Sequence, residues 1–517
     1  MITDDELLEL LGPEPATQVA WAHQAKEFDE HKNDRFRALL WSMRTGKSKA
    51  VIDKAEYQFS EGAIEGVIVL APNGIHLNWV LNEIPRWSWP ENGQHMAFGW
   101  QAPKRADWDA IAGLKALNEH TGGLKWLTIN MEAFAGFSEA SRSILKAVKD
   151  FKRSCHKKFM LVISEAHHFG HASARRTKLA RQLGHMAKFV MIETGTPILN
   201  SPLRAYAMYK IGDDLAFGPE FAGNQYEKFV QYHANIVAIA PKRDGGNKNL
   251  RRNKAYRKVA GYKNLDVLRE RISKYSSVVL REDIGDMPLL LEPFGRIIVM
   301  SDKQRSAYLE MVSRHLVEIE NMPTVAAPDA GARVMKLQQI LNGYVKLDTE
   351  IISIDDNAPI YDAMIDEVYG TLPGKTIIWC RYREDIRRVL SKLRSFGFKP
   401  LEFHGGVPTD KREEIRLAFQ NDPKYNPLVG QPGAGGEGRD FSAADTIMFF
   451  SSTPDATQYV QAKERGTQIA GHPVSVVRMR TIGTVDDRNW DIVDGKVTLA
   501  DTVSGTGLRD LLMRTDV

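Results

Sequence analysis

A short loop near the N-terminus of this 517-residue chain has the residue types that bind phosphate. Thr45, Gly46, Lys47 and Ser48 follow an apolar run that ends at Trp41, and they precede a helical pattern. Backbone N–H groups at a helix N-terminus attract anions, Lys47 would neutralise phosphate charge, and the Ser48 hydroxyl would bind Mg²⁺. Trp41 takes the place of the first glycine of the full motif, so an ordinary helix start with a chance Gly-Lys-Ser stays an alternative.

A second motif follows an apolar run at residues 160–163. Ser164 and Glu165 occupy two positions at which nucleotide-hydrolysing sites commonly carry Asp, for Mg²⁺, and Glu, for the attacking water. We therefore predict that Glu165 is catalytic and that Ser164 lies at the metal site, where its neutral hydroxyl would hold Mg²⁺ more weakly than a carboxylate. A surface or capping role for the glutamate is the alternative for this motif by itself.

The third motif, Thr194-Gly195-Thr196-Pro197, comes after the apolar run at residues 189–192. A turn would explain the glycine and the proline, and Thr194 could simply cap a helix. Neither explanation accounts for the ordered succession of three motifs. Together the motifs favour a site that binds and hydrolyses a nucleotide.

Short apolar runs between amphipathic stretches indicate the fold class. Runs of this length, bounded by turn residues, are typical of buried parallel strands. The first series comprises residues 38–41, 67–71, 127–129, 160–163 and 189–192. The second series comprises residues 297–300, 376–380, 428–430, 446–450 and 474–479. The repetition predicts an α/β protein of two lobes, each a mainly parallel sheet flanked by helices.

Bulk composition narrows the class of protein. The formal net charge of +4 is nearly balanced, so any affinity for polyanions must come from a local patch. Two cysteines without metal-ligand spacing do not form a disulfide framework, and we expect free thiols. The N-terminus lacks the basic region of a signal peptide and the apolar runs are strand-sized, so we expect no membrane partner and a cytoplasmic location.

Two segments interrupt the strand pattern. Nine basic residues and one acid lie between positions 242 and 263, which predicts an exposed basic insertion near 240–263. Its Arg251, Arg252 and Lys254 are candidate contacts for nucleic-acid phosphates, although a solvated loop is the commoner meaning of such a run. Residues 302–319 carry apolar side chains at helical spacing, which predicts a helical insertion near 302–345. These apolar residues are Tyr308, Met311, Val312, Leu316 and Ile319.

The motif order resembles that of the Swi/Snf type of superfamily-two helicases and translocases, and of the compact DEAD/DEAH-box-like ATPases of bacteriophages. Further matches extend the resemblance over nearly the whole chain. In the N-terminal half they are His23-Gln24, Ala71-Pro72 with Trp79, and Asn130-Met131-Glu132. In the C-terminal half they are residues 375–380, 404–406, 435–445, 461–465 and 483–486.

The resemblance implies two tandem RecA-like lobes, residues 1–285 and 286–517, with an ATP cleft between them. Closure of the cleft on ATP and Mg²⁺, and opening after hydrolysis, would step the protein along DNA. The implied nucleotide-binding residues are Gln24, which would read adenine, Thr45, Gly46, Lys47, Ser48, Gly438 and Asp440. The implied catalytic residues are Lys47, Glu165 and Arg465. Thr194 and Thr196 would couple the site to nucleic acid, and duplex DNA is the expected partner.

Two positions depart from the family pattern and leave a second function open. Ser164 replaces the acid of the second motif, and Gln468 replaces the second arginine of the last motif. An arginine finger can contribute roughly a thousandfold or more in rate, so the changes predict slower hydrolysis. The alternative to an ATP-driven translocase or helicase is a pseudo-enzyme that binds nucleotide without turnover and serves as a DNA- or protein-binding module. A metalloenzyme is not supported, because the sequence has no His/Asp/Cys cluster with ligand spacing.

Overall fold

The structure is a computed structural model of the chain. It describes residues 20–72, 75–100, 108–132, 139–195, 201–239, 256–284, 291, 293–314, 316–317, 325–326, 330–347, 350–435, 441–466 and 473–504. The chain divides into two compact units, one built on Met1–Leu280 and the other on Arg281–Ala500. Each unit has its own parallel sheet and its own buried core.

A parallel sheet forms the centre of the first unit. The strands described in this unit are β1 Phe36–Trp41, β2 Gly66–Ala71, β3 Met96–Trp100, β4 Lys125–Asn130, β5 Phe159–Ser164, β6 Phe189–Glu193, β7 Ala234–Ile239, β8 Tyr256–Tyr262 and β9 Ser276–Val279. Seven of them pair in parallel in the order β3-β4-β2-β5-β6-β1-β9. β1, β2 and β5 are buried along their whole length, which explains why their sequences are apolar apart from Arg37 in β1 and Ser164 at the end of β5.

Helices connect these strands. They are α1 Ala22–His31, α2 Lys47–Ser60, α3 Ile75–Asn78, α4 Ile84–Trp87, α5 Trp108–Glu119, α6 Glu139–Ser154, α7 Arg175–Met186, α8 Ala205–Gly212, α9 Tyr226–His233 and α10 Leu265–Ser273. The first predicted series of strands is confirmed. The edge strands β3 and β9 were not predicted, although β3 is a short apolar run; β9 begins with two serines, and both strands are only partly buried.

The basic segment is partly a strand and not simply a loop. β7 and β8 form an antiparallel hairpin, in which Lys258 lies opposite Val237. Residues 256–262 of the basic segment predicted near 240–263 are therefore a strand, and not the solvated loop that is the commoner meaning of such a run. The remaining residues of the segment up to 255, with the candidate DNA contacts Arg251, Arg252 and Lys254, lie outside the described residues.

The second unit repeats the architecture. Its described strands are β10 Phe294–Ile297, β11 Leu316–Val317, β12 Val325–Ala326, β13 Tyr344–Leu347, β14 Glu350–Ser353, β15 Lys375–Trp379, β16 Leu401–Phe403, β17 Leu428–Gly430, β18 Ala444–Phe449 and β19 Ser475–Arg480. Six pair in parallel in the order β10-β19-β18-β15-β17-β16, while β11 with β12 and β13 with β14 form antiparallel pairs.

Helices also flank the strands of the second unit. They are α11 Asp302–Arg314, α12 Ala330–Leu341, α13 Pro359–Thr371, α14 Arg383–Ser395, α15 Thr409–Asn421, α16 Ala456–Glu464 and α17 Val485–Ser504. The predicted fold class is confirmed: each unit is an α/β structure whose main sheet is parallel and whose strands are connected by helices. None of the described helices in either unit has the length and hydropathy that a membrane crossing requires.

Two predictions for the second unit need correction. The strand predicted at residues 297–300 lies a few residues earlier in the chain, at Phe294–Ile297. This edge strand, β10, is largely exposed and has little apolar signal. The helix predicted over residues 302–319 ends at Arg314, because Leu316–Val317 pairs as a strand with Val325–Ala326. The helical insertion predicted near 302–345 is present as α11 and α12, whose buried residues share one hydrophobic cluster.

Candidate functional site

Three neighbouring strands of the first unit end at the same edge of its sheet. β5 pairs with β6, and β6 pairs with β1, all in parallel. In this register Glu193 of β6 lies opposite both Ser164 of β5 and Leu39 of β1. Because parallel strands have their carboxyl ends at a common edge, the phosphate loop after β1 and the motifs after β5 and β6 meet there.

The phosphate loop turns at Gly46, whose φ of +76° lies in the left-handed region that favours glycine. A Cβ at this position would lie 2.1 Å from Nε2 of Gln24, so a side chain would not fit. Helix α2 begins directly afterwards at Lys47, whose ammonium donates to the carbonyl oxygens of Trp41 and Ser42 at 3.1 and 3.0 Å. A helix N-terminus and a positive charge are thus placed together, as an anion site requires.

Two residues of helix α1 attach it to the backbone of the phosphate loop. Gln24 is buried; its Nε2 donates to the Gly46 carbonyl at 2.9 Å, and its Oε1 accepts from the Trp21 N–H at 2.8 Å. A ring nitrogen of His23 donates to the Thr45 carbonyl at 2.8 Å. The contact of Gln24 with adenine stays a prediction; here both ends of its amide support the shape of the loop.

A carboxyl group that the sequence analysis did not consider lies beside Ser164. Glu193 is the last residue of β6, and the Ser164 hydroxyl donates to its Oε1 at 2.7 Å. Glu193 is only 4% exposed, and its Oε2 has no hydrogen-bond partner among the described residues. Burial raises the pKa of Glu193 to about 7, while the charge of Lys47 opposes this rise. The carboxyl group therefore lies within the electrostatic influence of the phosphate-loop lysine.

The predicted catalytic residue, Glu165, follows β5 in a strained backbone conformation. Its φ of +54° places it in the left-handed region, which costs a non-glycine residue about 1–3 kcal/mol and is frequent at functional sites. Its Oε2 lies 3.2 Å from Nδ1 of His167 and accepts a 3.5 Å hydrogen bond from the Thr194 hydroxyl. His167 and Thr194 contact each other at 3.1 Å. All three residues are buried, so the Glu165 carboxylate is held in a defined orientation.

A second unanticipated carboxyl group lies next to Ser48. Asn78 and Trp87 donate to the two Glu83 oxygens at 3.2 Å each. Burial raises the pKa of Glu83 above its ordinary value, and the nearby Ser48 side chain opposes this rise. A carboxyl group therefore lies near each of the two serines, Ser48 and Ser164.

Several known proteins are similar to parts of this chain. The family described as Helicase conserved C-terminal domain matches residues 360–469. The TATA-binding protein-associated factor mot1 of Aspergillus fumigatus is 20% identical over 385 residues, which cover 66% of this chain and 20% of that protein. The SWI/SNF-related matrix-associated actin-dependent regulator of chromatin subfamily A-like protein 1 homolog of Caenorhabditis elegans is 20% identical over 350 residues, covering 66% of this chain and 45% of that protein. The chain is similar to Snf2-type helicase proteins.

One solved structure also aligns with this chain. The SWI2/SNF2 ATPase core of Sulfolobus solfataricus in complex with dsDNA aligns over 96% of this chain and 96% of that chain, at 16% identity and a TM-score of 0.39. The matched regions amount to less than half the length of either curated relative.

The Snf2-type site residues predicted for the second unit are described only in part. Arg465 directly follows helix α16; it is buried, and its guanidinium lies 5.5 Å from the centre of the Trp379 ring. Several predicted site residues lie outside the described residues: Thr196, Arg251, Arg252, Lys254, Gly438 and Asp440. Gln468, which replaces the second arginine of the last motif, also lies outside them. The roles assigned to all of them stay predictions.

The side chains at the sheet edge fit one kind of metal ion. Among the described residues, no group of three or more His, Cys, Asp or Glu side chains could hold a metal by itself. Mg²⁺ at a nucleotide site does not need such a group, because it keeps several waters and takes phosphate oxygens with one or two carboxylates. The Ser48 hydroxyl and the orphaned Oε2 of Glu193 fit that set of ligands.

Sequence reasoning missed Glu193 and Glu83. Glu193 carries a signal that could have been found, since an acid is unusual as the last residue of an apolar strand and this one directly precedes Thr194. Glu83 carries no such signal. It lies in a π-helical turn, Trp79–Glu83, and only the tertiary fold brings it to Ser48.

Proposed function

We propose that this chain is an ATP-hydrolysing motor that moves along DNA and whose hydrolysis is stimulated by nucleic acid. The observation that carries the proposal is the placement of Lys47, Glu165 and Glu193 at adjoining strand ends of one parallel sheet. ATP and Mg²⁺ are the proposed ligands, because this edge combines an anion-binding helix N-terminus with carboxylates suited to a cation. The similarity to Snf2-type helicase proteins supports the same function.

Binding of the phosphates would change the partners of Lys47. Its ammonium now donates to two carbonyl groups of the loop, and it would exchange these for β- and γ-phosphate oxygens. The backbone N–H groups at the start of α2 would donate to the same phosphates. Mg²⁺, when bound, neutralises phosphate charge. Glu165, held by His167 and Thr194, would orient the attacking water and accept its proton.

Duplex DNA is the proposed partner. One relative is named as a regulator of chromatin, whose DNA is double-stranded. Thr194 connects the Glu165 carboxylate to the segment that follows β6, and it would relay DNA contact to the nucleotide site. Thr196 and the basic residues Arg251, Arg252 and Lys254 are the proposed DNA contacts, and Arg465 is a proposed catalytic residue.

The test is steady-state ATP hydrolysis with Mg²⁺, measured without DNA, with single-stranded DNA and with duplex DNA. We expect duplex DNA to raise the rate, and Lys47→Ala to remove hydrolysis under all three conditions. Lys115→Ala is the matched control, because Lys115 lies on helix α5 with a side chain 73% exposed. A rate that does not respond to either DNA would contradict the motor.

The Ser164 substitution favours one second candidate, a module that binds nucleotide without turning it over. This candidate predicts that the wild type binds a fluorescent ATP analogue and that Lys47→Ala removes this binding. It also predicts that the wild type hydrolyses no ATP with any DNA. Hydrolysis by the wild type that depends on Lys47 and Glu165 would exclude it. The two candidates therefore differ in turnover and not in nucleotide binding.

A further inference from the structure

The first unit has a carboxyl group next to the position at which the nucleotide site lacks an acid. The hydroxyl oxygen of Ser164 is attached to Cβ, where an aspartate would carry its carboxyl carbon. Oε1 of Glu193 lies 2.7 Å from this hydroxyl. The longer side chain from the end of β6 thus brings a carboxyl oxygen within hydrogen-bond distance of the place that an aspartate at the end of β5 would occupy.

Glu193 lacks the partners that a buried carboxyl group normally has. Such groups usually accept several hydrogen bonds or pair with a cation. Here Oε1 accepts a hydrogen bond from Ser164, and Oε2 accepts none from any residue that the structure describes. Lys47 contributes positive charge, but Glu165 and Glu83 add negative charge nearby. An orphaned oxygen among like charges is expected where a cation is to bind.

We propose that Glu193 is the carboxylate that holds the Mg²⁺ of the bound nucleotide, directly or through a water, and that Ser164 is a positioning residue that orients it. The inference rests on the proposed ATP-dependent function and adds a ligand to it. The acid has moved from the end of β5 to the end of the neighbouring β6. The site therefore keeps a carboxylate for Mg²⁺ although its usual motif position is a serine.

A purely structural role for Glu193 has different consequences. In that case the side chain only accepts the hydrogen bond from Ser164. Glutamine has the same shape and keeps a carbonyl oxygen for that bond, so Glu193→Gln would leave metal and nucleotide binding unchanged. A role in metal binding requires the negative charge, which glutamine lacks.

The test measures metal binding without turnover. Mn²⁺, as a paramagnetic stand-in for Mg²⁺, is titrated by electron paramagnetic resonance into the full chain with saturating ADP. In parallel, the affinity for a fluorescent non-hydrolysable ATP analogue is compared in Mg²⁺ and in EDTA. The variants are Glu193→Gln and Ser164→Asp/Glu193→Gln, in which the acid returns to β5. The matched control is Glu56→Gln, another buried glutamate whose pKa burial raises to about 7.

We expect Mn²⁺ affinity to fall about 10- to 100-fold in Glu193→Gln, the range seen when support of a metal ligand is lost. Mg²⁺ should also raise the affinity for the ATP analogue, relative to EDTA, by less in Glu193→Gln than in wild type. The double variant should recover part of both effects, and Glu56→Gln should retain both. Thermal unfolding of each apo variant within a few degrees of wild type shows that a loss of binding is not a loss of fold.

The possible failures are distinguishable. If the wild type binds no ATP analogue in either Mg²⁺ or EDTA, the proposed function is wrong and the inference falls with it. If wild type binds the analogue and Glu193→Gln retains the full Mn²⁺ affinity, only the inference is overturned. A folded double variant that binds Mn²⁺ no better than Glu193→Gln would also overturn it, because restoring the acid then restores nothing.

Discussion

The hydroxyl of Ser164 donates a 2.7 Å hydrogen bond to the carboxyl group of Glu193, a residue 29 positions later in the chain. The two residues are partners in the register of β5 and β6, at the edge where the phosphate loop also lies. A serine in the second motif indicates a missing acid when the motif is considered alone. With its neighbouring strand included, the same position has an acid within hydrogen-bond distance.

Gly46→Ala should abolish nucleotide binding. The positive φ of Gly46 disfavours any side chain, and a Cβ would lie 2.1 Å from Gln24 Nε2, so the loop and helix α1 would have to move. Titration with a fluorescent ATP analogue measures the loss. Gly62→Ala is the control, since Gly62 also has a positive φ but has nothing within 4 Å of a Cβ. We expect that control to lose about 1 kcal/mol of stability and to bind nucleotide normally; unchanged binding by Gly46→Ala would contradict the assigned loop geometry.

Glu165→Gln should slow hydrolysis without weakening nucleotide binding. A general base contributes about 10²–10⁴-fold in rate, and glutamine cannot accept the proton of the attacking water. The strained backbone at Glu165 and the contacts with His167 and Thr194 are compatible with the similarly shaped amide. Single-turnover hydrolysis and analogue titration separate the two effects. Glu119→Gln, with a side chain 67% exposed, is the control. A rate within twofold of wild type would rule out Glu165 as the base.

Glu56 should make the stability of the first unit depend on pH. Burial raises its pKa to about 7, from an ordinary value of 4.5. The folded protein then holds this proton at pH values where the unfolded chain has released it, so its contribution to stability falls as pH rises from 4.5 to 7. The groups around Glu56 are Asn92, Ser88, Trp89, Glu91 and His95.

Chemical denaturation of wild type and Glu56→Gln at pH 5 and pH 8 tests this dependence. The quantity compared is the free energy of unfolding of the variant minus that of wild type. This difference should be about 1–3 kcal/mol larger at pH 8 than at pH 5, since one pKa unit corresponds to about 1.4 kcal/mol. His95 lies 3.3 Å from Glu56, so the measured difference includes the coupled titration of these two groups. An equal difference at the two pH values would mean that Glu56 titrates alike in the folded and unfolded states.

Asp385→Asn should destabilise the second unit. Asp385 is fully buried and accepts hydrogen bonds from Asn342 and Tyr344 at Oδ1, and from Ser451 and the Tyr382 N–H at Oδ2. The NH₂ group of an asparagine would face the two donors that now contact one carboxylate oxygen of Asp385. Each buried group left without a hydrogen bond costs about 1–3 kcal/mol. Denaturant unfolding measures the loss, with the exposed Asp362→Asn as control. Equal stability of the two variants would show that this network adds nothing.

The local sequence was sufficient for the buried strands and for the motifs. β1, β2, β5 and β6 are apolar runs because both faces of a central parallel strand are covered, so composition alone identifies them. The four residues of the phosphate loop predicted a nucleotide site only together with the motifs that follow β5 and β6. The roles of Lys47, Glu165 and Arg465 stay predictions until the experiments above are done.

The edges of the sheets and the hairpins could not be derived in this way. β9, β10 and β16 lie at sheet edges, are partly exposed and include polar residues in their short runs. Leu316–Val317 continued a helical pattern, yet pairing with Val325–Ala326 made it a strand. A strand needs a partner segment, and the pattern of a single run does not contain that partner.

The sequence by itself determined which residue types stand at the ends of β1, β5 and β6, including the serine that replaces an acid at position 164. Only the tertiary structure decided that these three ends are neighbours and that Glu193 reaches Ser164. The physical reason is that strand order is set by the packing of whole strands and helices, while a motif records only its own few residues. The location of the missing acid is therefore a property of the fold.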